Sequence, residues 1–105
     1  MINSRKKGYR IENELVNILK ERGIEAYRVP LSGGAPGFAG DIIIALNEKE
    51  YICEVKSRGE GFRQIYKWLE GKDMLFVKAD RKKYLAVIPL EIFLKILSKP
   101  NGGEK

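Results

Sequence analysis

Gly40-Asp41-Ile42-Ile43-Ile44-Ala45-Leu46-Asn47-Glu48-Lys49-Glu50-Tyr51-Ile52-Cys53-Glu54-Val55-Lys56 is the stretch on which the fold turns. Ile42 to Leu46 is continuously apolar, the mark of a central strand buried on both faces. Asn47 to Glu50 is polar and predicts a turn. Tyr51 to Lys56 predicts the next strand, and the short connection makes the two an antiparallel hairpin. Side chains alternate along a strand, so Ile52, Glu54 and Lys56 share one face and Tyr51, Cys53 and Val55 the other. A carboxylate and an ammonium then stand together at the end of a strand otherwise suited to the core. Taken alone, that pair reads as an ion pair on a half-exposed strand.

Working outward, Asn3 or Ser4 caps a predicted helix that runs to about Arg22 and stops at Gly23. Its apolar positions, Ile11, Leu15, Val16, Ile18 and Leu19, follow helical spacing. Ile24 to Val29 predicts a first strand ended by Pro30. Leu31 to Gly40 holds four glycines and a proline in ten residues and predicts a loop. Downstream, Phe62 to Leu69 predicts a helix with Phe62, Ile65, Tyr66 and Leu69 on one side, stopped by Gly71. Met74 to Val77 and Tyr84 to Ile88 predict two strands joined by the charged turn Asp80-Arg81-Lys82-Lys83. Pro89 precedes a closing helix, Leu90 to Leu97, and residues 100–105 read as a frayed tail. The class is α/β, in the order αβββαββα, and nothing marks a repeat or a linker, so 1–105 is expected to be one domain.

The chain has 105 residues, enough for one modest core that buries roughly 60–70% of the unfolded surface. Twenty Lys and Arg stand against fourteen Asp and Glu, a formal charge of +6. That excess attracts polyanions, although a surface of this charge also serves solubility. There is no histidine. This excludes Ser-His-Asp and Cys-His triads, histidine zinc sites and histidine general-base nucleases, and leaves carboxylates, lysines, hydroxyls and oxygen-bound metals. The single cysteine, Cys53, cannot form an internal disulfide and reads as a small buried hydrophobe. Residues 1–10 are polar and basic with no apolar core of a signal peptide, and the apolar runs are too short to span a bilayer. A cytoplasmic protein is expected, in the host cytosol if the gene is viral.

Two further carboxylates are oddly sited. Asp41 follows the glycine loop at the mouth of its strand, and in a hairpin the start of one strand lies near the end of the next. Asp41 and Glu54 are then neighbours, and two close carboxylates repel unless a cation lies between them. Mg²⁺ is suited to such oxygen ligands. By itself Asp41 is equally a turn residue. Glu12 precedes Leu15, Val16 and Leu19 by three, four and seven residues, which puts it on the apolar stripe of the first helix, facing the sheet. Its simpler reading is a carboxylate at the edge of the stripe, reaching to water.

Asp41, a hairpin, then Glu54-Val55-Lys56 resembles the D…ExK signature of the PD-(D/E)xK nucleases. The wider constellation is more specific. Arg10-Ile11-Glu12-Asn13-Glu14-Leu15-Val16, Gly23-Ile24, Tyr27-Arg28-Val29, Ser32-Gly33, Gly40-Asp41-Ile42-Ile43 and Cys53-Glu54-Val55-Lys56-Ser57 follow the order and spacing of the archaeal-type Holliday-junction resolvases. The resemblance covers roughly the first 58 residues, and the second half shares only a strand-strand-helix pattern.

That resemblance implies a restriction-endonuclease-like core, with a central mixed five-stranded sheet flanked by helices. It implies that Asp41 and Glu54 bind Mg²⁺, for which Mn²⁺ substitutes, together with the Val55 carbonyl. Glu12 would hold the attacking water or a second ion. Lys56 would orient the water or stabilise phosphoryl charge, and Ser32 in the glycine loop would support cleavage. Gln64 falls where some members of the superfamily carry a glutamine. Arg5, Lys6, Lys7 and Arg10, with Ser32 and Gly33, and Arg58, Arg63 and Lys67 are candidate DNA contacts. The expected activity is paired nicking of a four-way junction by a homodimer, with branched DNA as partner, no membrane and no small-molecule cofactor. The alternatives are another nuclease of this scaffold (VRR-type, flap or single-strand specific) and a non-catalytic DNA-binding module.

Overall fold

Helix α1 spans Ser4–Glu21, and its apolar stripe makes the first half of the core. Val16 and Leu19 are buried, while Ile11, Leu15 and Ile18 are half-buried. The helix ends as Gly23 turns left-handed at φ 79°. There the Ile24 amide donates to the Leu19 carbonyl (3.0 Å) and the Gly23 amide to the Lys20 carbonyl (2.9 Å). These two bonds form a Schellman cap, which satisfies carbonyls the helix leaves open and aims the chain back along the helix. The structure, a computed structural model, describes residues 4–29 and 41–98, the side chains of 4–7 excepted. Asn3, Pro30, the predicted loop Leu31 to Gly40 and the predicted tail 100–105 therefore lie outside the described residues.

Three antiparallel strands follow, β1 (Glu25–Arg28), β2 (Ile42–Leu46) and β3 (Lys49–Cys53), in spatial order β1-β2-β3. β2 lies between its neighbours as expected, but it is buried on one face rather than both: Ile42 and Ile44 are buried, while Ile43, Ala45 and Leu46 are half-buried. The register pairs Ala26 with Ile44 and Arg28 with Ile42. Ala26, Arg28, Ile42 and Ile44 thus share one face, and three of these four are buried together with Val16 and Leu19 of α1.

β3 differs from its prediction. It begins two residues earlier and ends at Cys53, so Glu54, Val55 and Lys56 continue beyond the ladder. The cause is the turn. Asn47 and Glu48 both adopt positive φ (50° and 67°), the two-residue connection that matches the twist of paired strands. Leu46 then pairs directly with Lys49, and the ladder is spent when β2 runs out at Ile42. β3 is also an edge rather than a core strand, with Tyr51 and Ile52 exposed. Cys53 is half-buried rather than buried, and burial still pushes its thiol up, against a backbone hydrogen bond that opposes the shift. Glu48 is a poor choice for a left-handed position, where glycine has no Cβ to crowd the backbone. Glu48→Gly is expected to stabilise the fold by about 0.5–1 kcal/mol, read as a higher urea midpoint at constant slope. An unchanged or lower midpoint would show that Glu48 is not strained there.

The chain divides into two compact units, Met1–Ser57 and Arg58–Lys105. The second contains α2 (Arg63–Leu69), β4 (Leu75–Val77), β5 (Leu85–Val87) and α3 (Leu90–Leu97). Gly71 at φ 72° follows α2, as its expected stop. Phe62, Ile65, Tyr66 and Leu69 line an apolar hollow of about 450 Å³ with residues 87–90, although Tyr66 is largely exposed. Leu94 of α3 is the buried residue of this unit among those described.

The described strand pairings fall within each unit and do not establish the expected mixed five-stranded sheet. They make an antiparallel three-stranded sheet in the first unit and an antiparallel pair, β4-β5, in the second. Among the described residues, no helix is long and apolar enough to cross a membrane.

Candidate active site

Asp41 is where the strands of the first unit converge. Its amide donates to the Cys53 carbonyl at 2.7 Å, and its carbonyl accepts from the Val29 amide at 2.9 Å. Its carboxylate Oδ2 accepts from the Val55 amide at 2.8 Å. One half-buried residue thus joins the exit of β1, the entry of β2 and the exit of β3. The last bond matters most, because it replaces the ladder that ends at Cys53. Beyond the strand, the segment Glu54-Val55-Lys56 is held to Asp41 by a side chain instead of by β pairing.

Glu54 and Lys56 flank that tie. Lys56 Nζ lies 3.1 Å from Glu54 Oε2, and both side chains are about half exposed (54% and 52%). At such exposure the pair contributes at most about 1 kcal/mol to stability.

Glu12 does face the sheet. Its Oε1 receives Nε of Arg28 at 3.1 Å, with the two side chains only 17% and 26% exposed. Arg28 also lies over the ring of Tyr9, 4.1 Å from its centroid, a stacked geometry that suits a planar guanidinium. Arg28 and Tyr9 carry no role in the sequence reading. The signal was present, because Arg28 alternates with buried Ala26 and so points to the helix side of β1. On the other face, the Tyr27 hydroxyl donates to Glu50 Oε2 at 2.6 Å, and this bond to a carboxylate holds the phenol above its ordinary value.

Among the described residues, no three acidic, cysteine or histidine side chains gather as a metal cluster. What comes together is Asp41 with the Glu54–Lys56 segment, while Glu12 is engaged by Arg28. Ser32 and Gly33 lie outside the described residues, as do the side chains of Arg5, Lys6 and Lys7, whose backbone is helical in α1. Arg10 is exposed on that helix. In the second unit, Gln64 and Lys67 are exposed, and Arg63 pairs with Glu60 at 3.4 Å near full exposure. The stem of exposed Arg58 lies across Gly61, where an added Cβ would meet Arg58 Cβ at 3.2 Å.

Residues 3–93 match the family described as archaeal Holliday junction resolvase (hjc). The match runs well past the first 58 residues to which the motifs alone extended, and takes in α2, β4, β5 and the start of α3. No curated protein and no solved structure matches the chain. With Asp41 tied to the Glu54-Val55-Lys56 segment and the match covering most of its length, the chain belongs to the archaeal Holliday junction resolvase family.

Proposed function

We propose that the protein is a metal-dependent, structure-selective DNA endonuclease that nicks four-way junctions, with Asp41, Glu54 and Lys56 at its centre. The hydrogen bond from the Val55 amide to Asp41 Oδ2 carries the reading, because it links the two parts of the D…ExK pattern. The bond also serves the fold, and at the same time it fixes the orientation of the Asp41 carboxylate, as a metal ligand requires.

The donors fit a hard cation in kind. Asp41 and Glu54 would hold Mg²⁺ with the Val55 carbonyl, Mn²⁺ substituting, since these are the oxygen ligands both ions take. When bound, such an ion lowers the pKa of water and offsets charge on the phosphoryl oxygens. The chain's own groups do the rest. Glu54 steadies the Lys56 ammonium, which orients the attacking water or stabilises phosphoryl charge. Glu12 would hold that water or a second ion, with Arg28 fixing its carboxylate. Ser32 would support cleavage from the glycine loop. Arg5, Lys6, Lys7, Arg10, Gly33, Arg58, Arg63 and Lys67 would contact phosphates, which position the DNA without reading its sequence. Both units would belong to one nuclease domain, since the family match spans both. Its five strands would supply the core. A homodimer would place two sites on a two-fold substrate and give paired nicks, with no small-molecule cofactor.

A second reading has one observation in its favour. Glu12 and Glu54 are each ion-paired within the chain, as in a non-catalytic DNA-binding module. A labelled synthetic four-way junction separates the two. Cleavage in Mg²⁺ that stops with EDTA and outpaces duplex and flap cleavage is the expected result. Equal cutting of all three DNAs would remove junction selectivity. No cutting of any DNA in Mg²⁺ or Mn²⁺ would leave the binding module.

A further inference from the structure

The charged turn of the second unit has no part in the proposed chemistry. Lys78, Arg81, Lys82 and Lys83 are four cations within six residues, against the single acid Asp80, and all are exposed. Among the described residues, none of the four forms an ion pair. Three of them ring an open hollow of about 470 Å³: Lys78, Lys82 and Lys83 stand around Val77, Ala79 and Leu85. Lys78 also lies 5.9 Å from the centroid of the Tyr84 ring, which is itself largely exposed. A solvated run of lysines needs neither the shared hollow nor the aromatic neighbour.

The turn backbone gives an independent indication. The Lys82 amide donates to the Ala79 carbonyl at 3.1 Å, closing a β-turn whose third residue is Arg81. Arg81 has φ 63°, the left-handed conformation for which glycine is the natural occupant. An arginine held there keeps a positive charge at the hairpin tip despite an unfavourable backbone. Unlike Glu48 in the β2–β3 turn, Arg81 stands among three further exposed cations, so the charge kept there adds to a shared patch.

We propose that the β4–β5 hairpin is a second phosphate-backbone contact, binding an arm of DNA through Arg81, Lys82 and Lys83 by charge and without base readout. The hairpin deepens the proposed nuclease function and rests on it, naming where the substrate is gripped apart from the residues that act on it. Ammonium and guanidinium groups on an exposed, twisted hairpin track a polyanionic backbone, and each phosphate neutralised releases a counterion.

The test is junction binding by fluorescence anisotropy across a salt series, in EDTA so that nothing is cut. Lys82→Gln/Lys83→Gln is expected to weaken binding roughly tenfold near 0.1 M salt, and to lower the slope of log affinity on log salt by about one to two. Arg81→Gly is expected to lower the slope by about one while raising the melting temperature. A structural role for Arg81 would move the melting temperature the other way. Lys20→Gln/Arg22→Gln, which removes the same charge from the far end of α1, is the control and should change the slope less. Slopes for the hairpin variants equal to wild type, or lowered no more than the control, overturn the proposal. Failure of the nuclease reading would be seen separately, as wild type that binds the junction but never cuts it in Mg²⁺.

Discussion

Asp41→Asn is expected to reduce four-way junction cleavage on the order of 10²–10³-fold or more, while leaving the chain folded and able to bind DNA. Asparagine keeps a side-chain carbonyl where Asp41 Oδ2 accepts from the Val55 amide, so the link between β2 and the segment after β3 survives. What is lost is the negative charge that a hard cation requires. Asp41→Ala differs in a diagnostic way. It removes the acceptor and leaves the Val55 amide unsatisfied, which costs about 1–3 kcal/mol. Single-turnover cleavage and urea unfolding of both variants separate the two roles. Asparagine should lose activity alone; alanine should lose activity and stability. An Asn variant that cuts at the wild-type rate removes Asp41 from the chemistry.

Leu19→Ala is expected to carry the largest cost to stability, about 2–5 kcal/mol. Its side chain is 1% exposed and sits at the heart of the α1–sheet core with Val16, Ile42 and Ile44. For a domain of this size the loss is a large share of a total of about 5–15 kcal/mol, and corresponds to a melting temperature lower by about 10 °C or more. The measurement is circular dichroism, because the one tryptophan, Trp68, belongs to the second unit and its fluorescence reports on that unit. Ile18→Ala, at a half-buried position on the same helix, should cost distinctly less. Equal losses at the two positions would mean that the core does not centre on Leu19.

Most element positions could be read from the chain because their causes are local. The helical spacing of Val16 and Leu19, the glycine at 23 and the apolar run Ile42–Leu46 each act over a few residues. The end of β3 could not be read in this way. Tyr51 to Lys56 looks like one continuous strand, but its length is set by its partner, and β2 begins only at Ile42. The Glu12–Arg28 pair was half legible: the helix stripe put Glu12 toward the sheet, while the cation that meets it lies sixteen residues away on β1.

The sequence by itself determined which chemistry is possible: no histidine, hence oxygen ligands and lysine, and the family to which Asp41 and Glu54-Val55-Lys56 point. Those are properties of residue identity and order. Only the tertiary structure decided that Asp41 holds the Val55 amide, that Arg28 engages Glu12, and that the described strands pair within a group of three and a group of two. Each of these depends on which donors and acceptors remain unpaired once neighbouring strands have taken theirs, and that is a property of the folded chain.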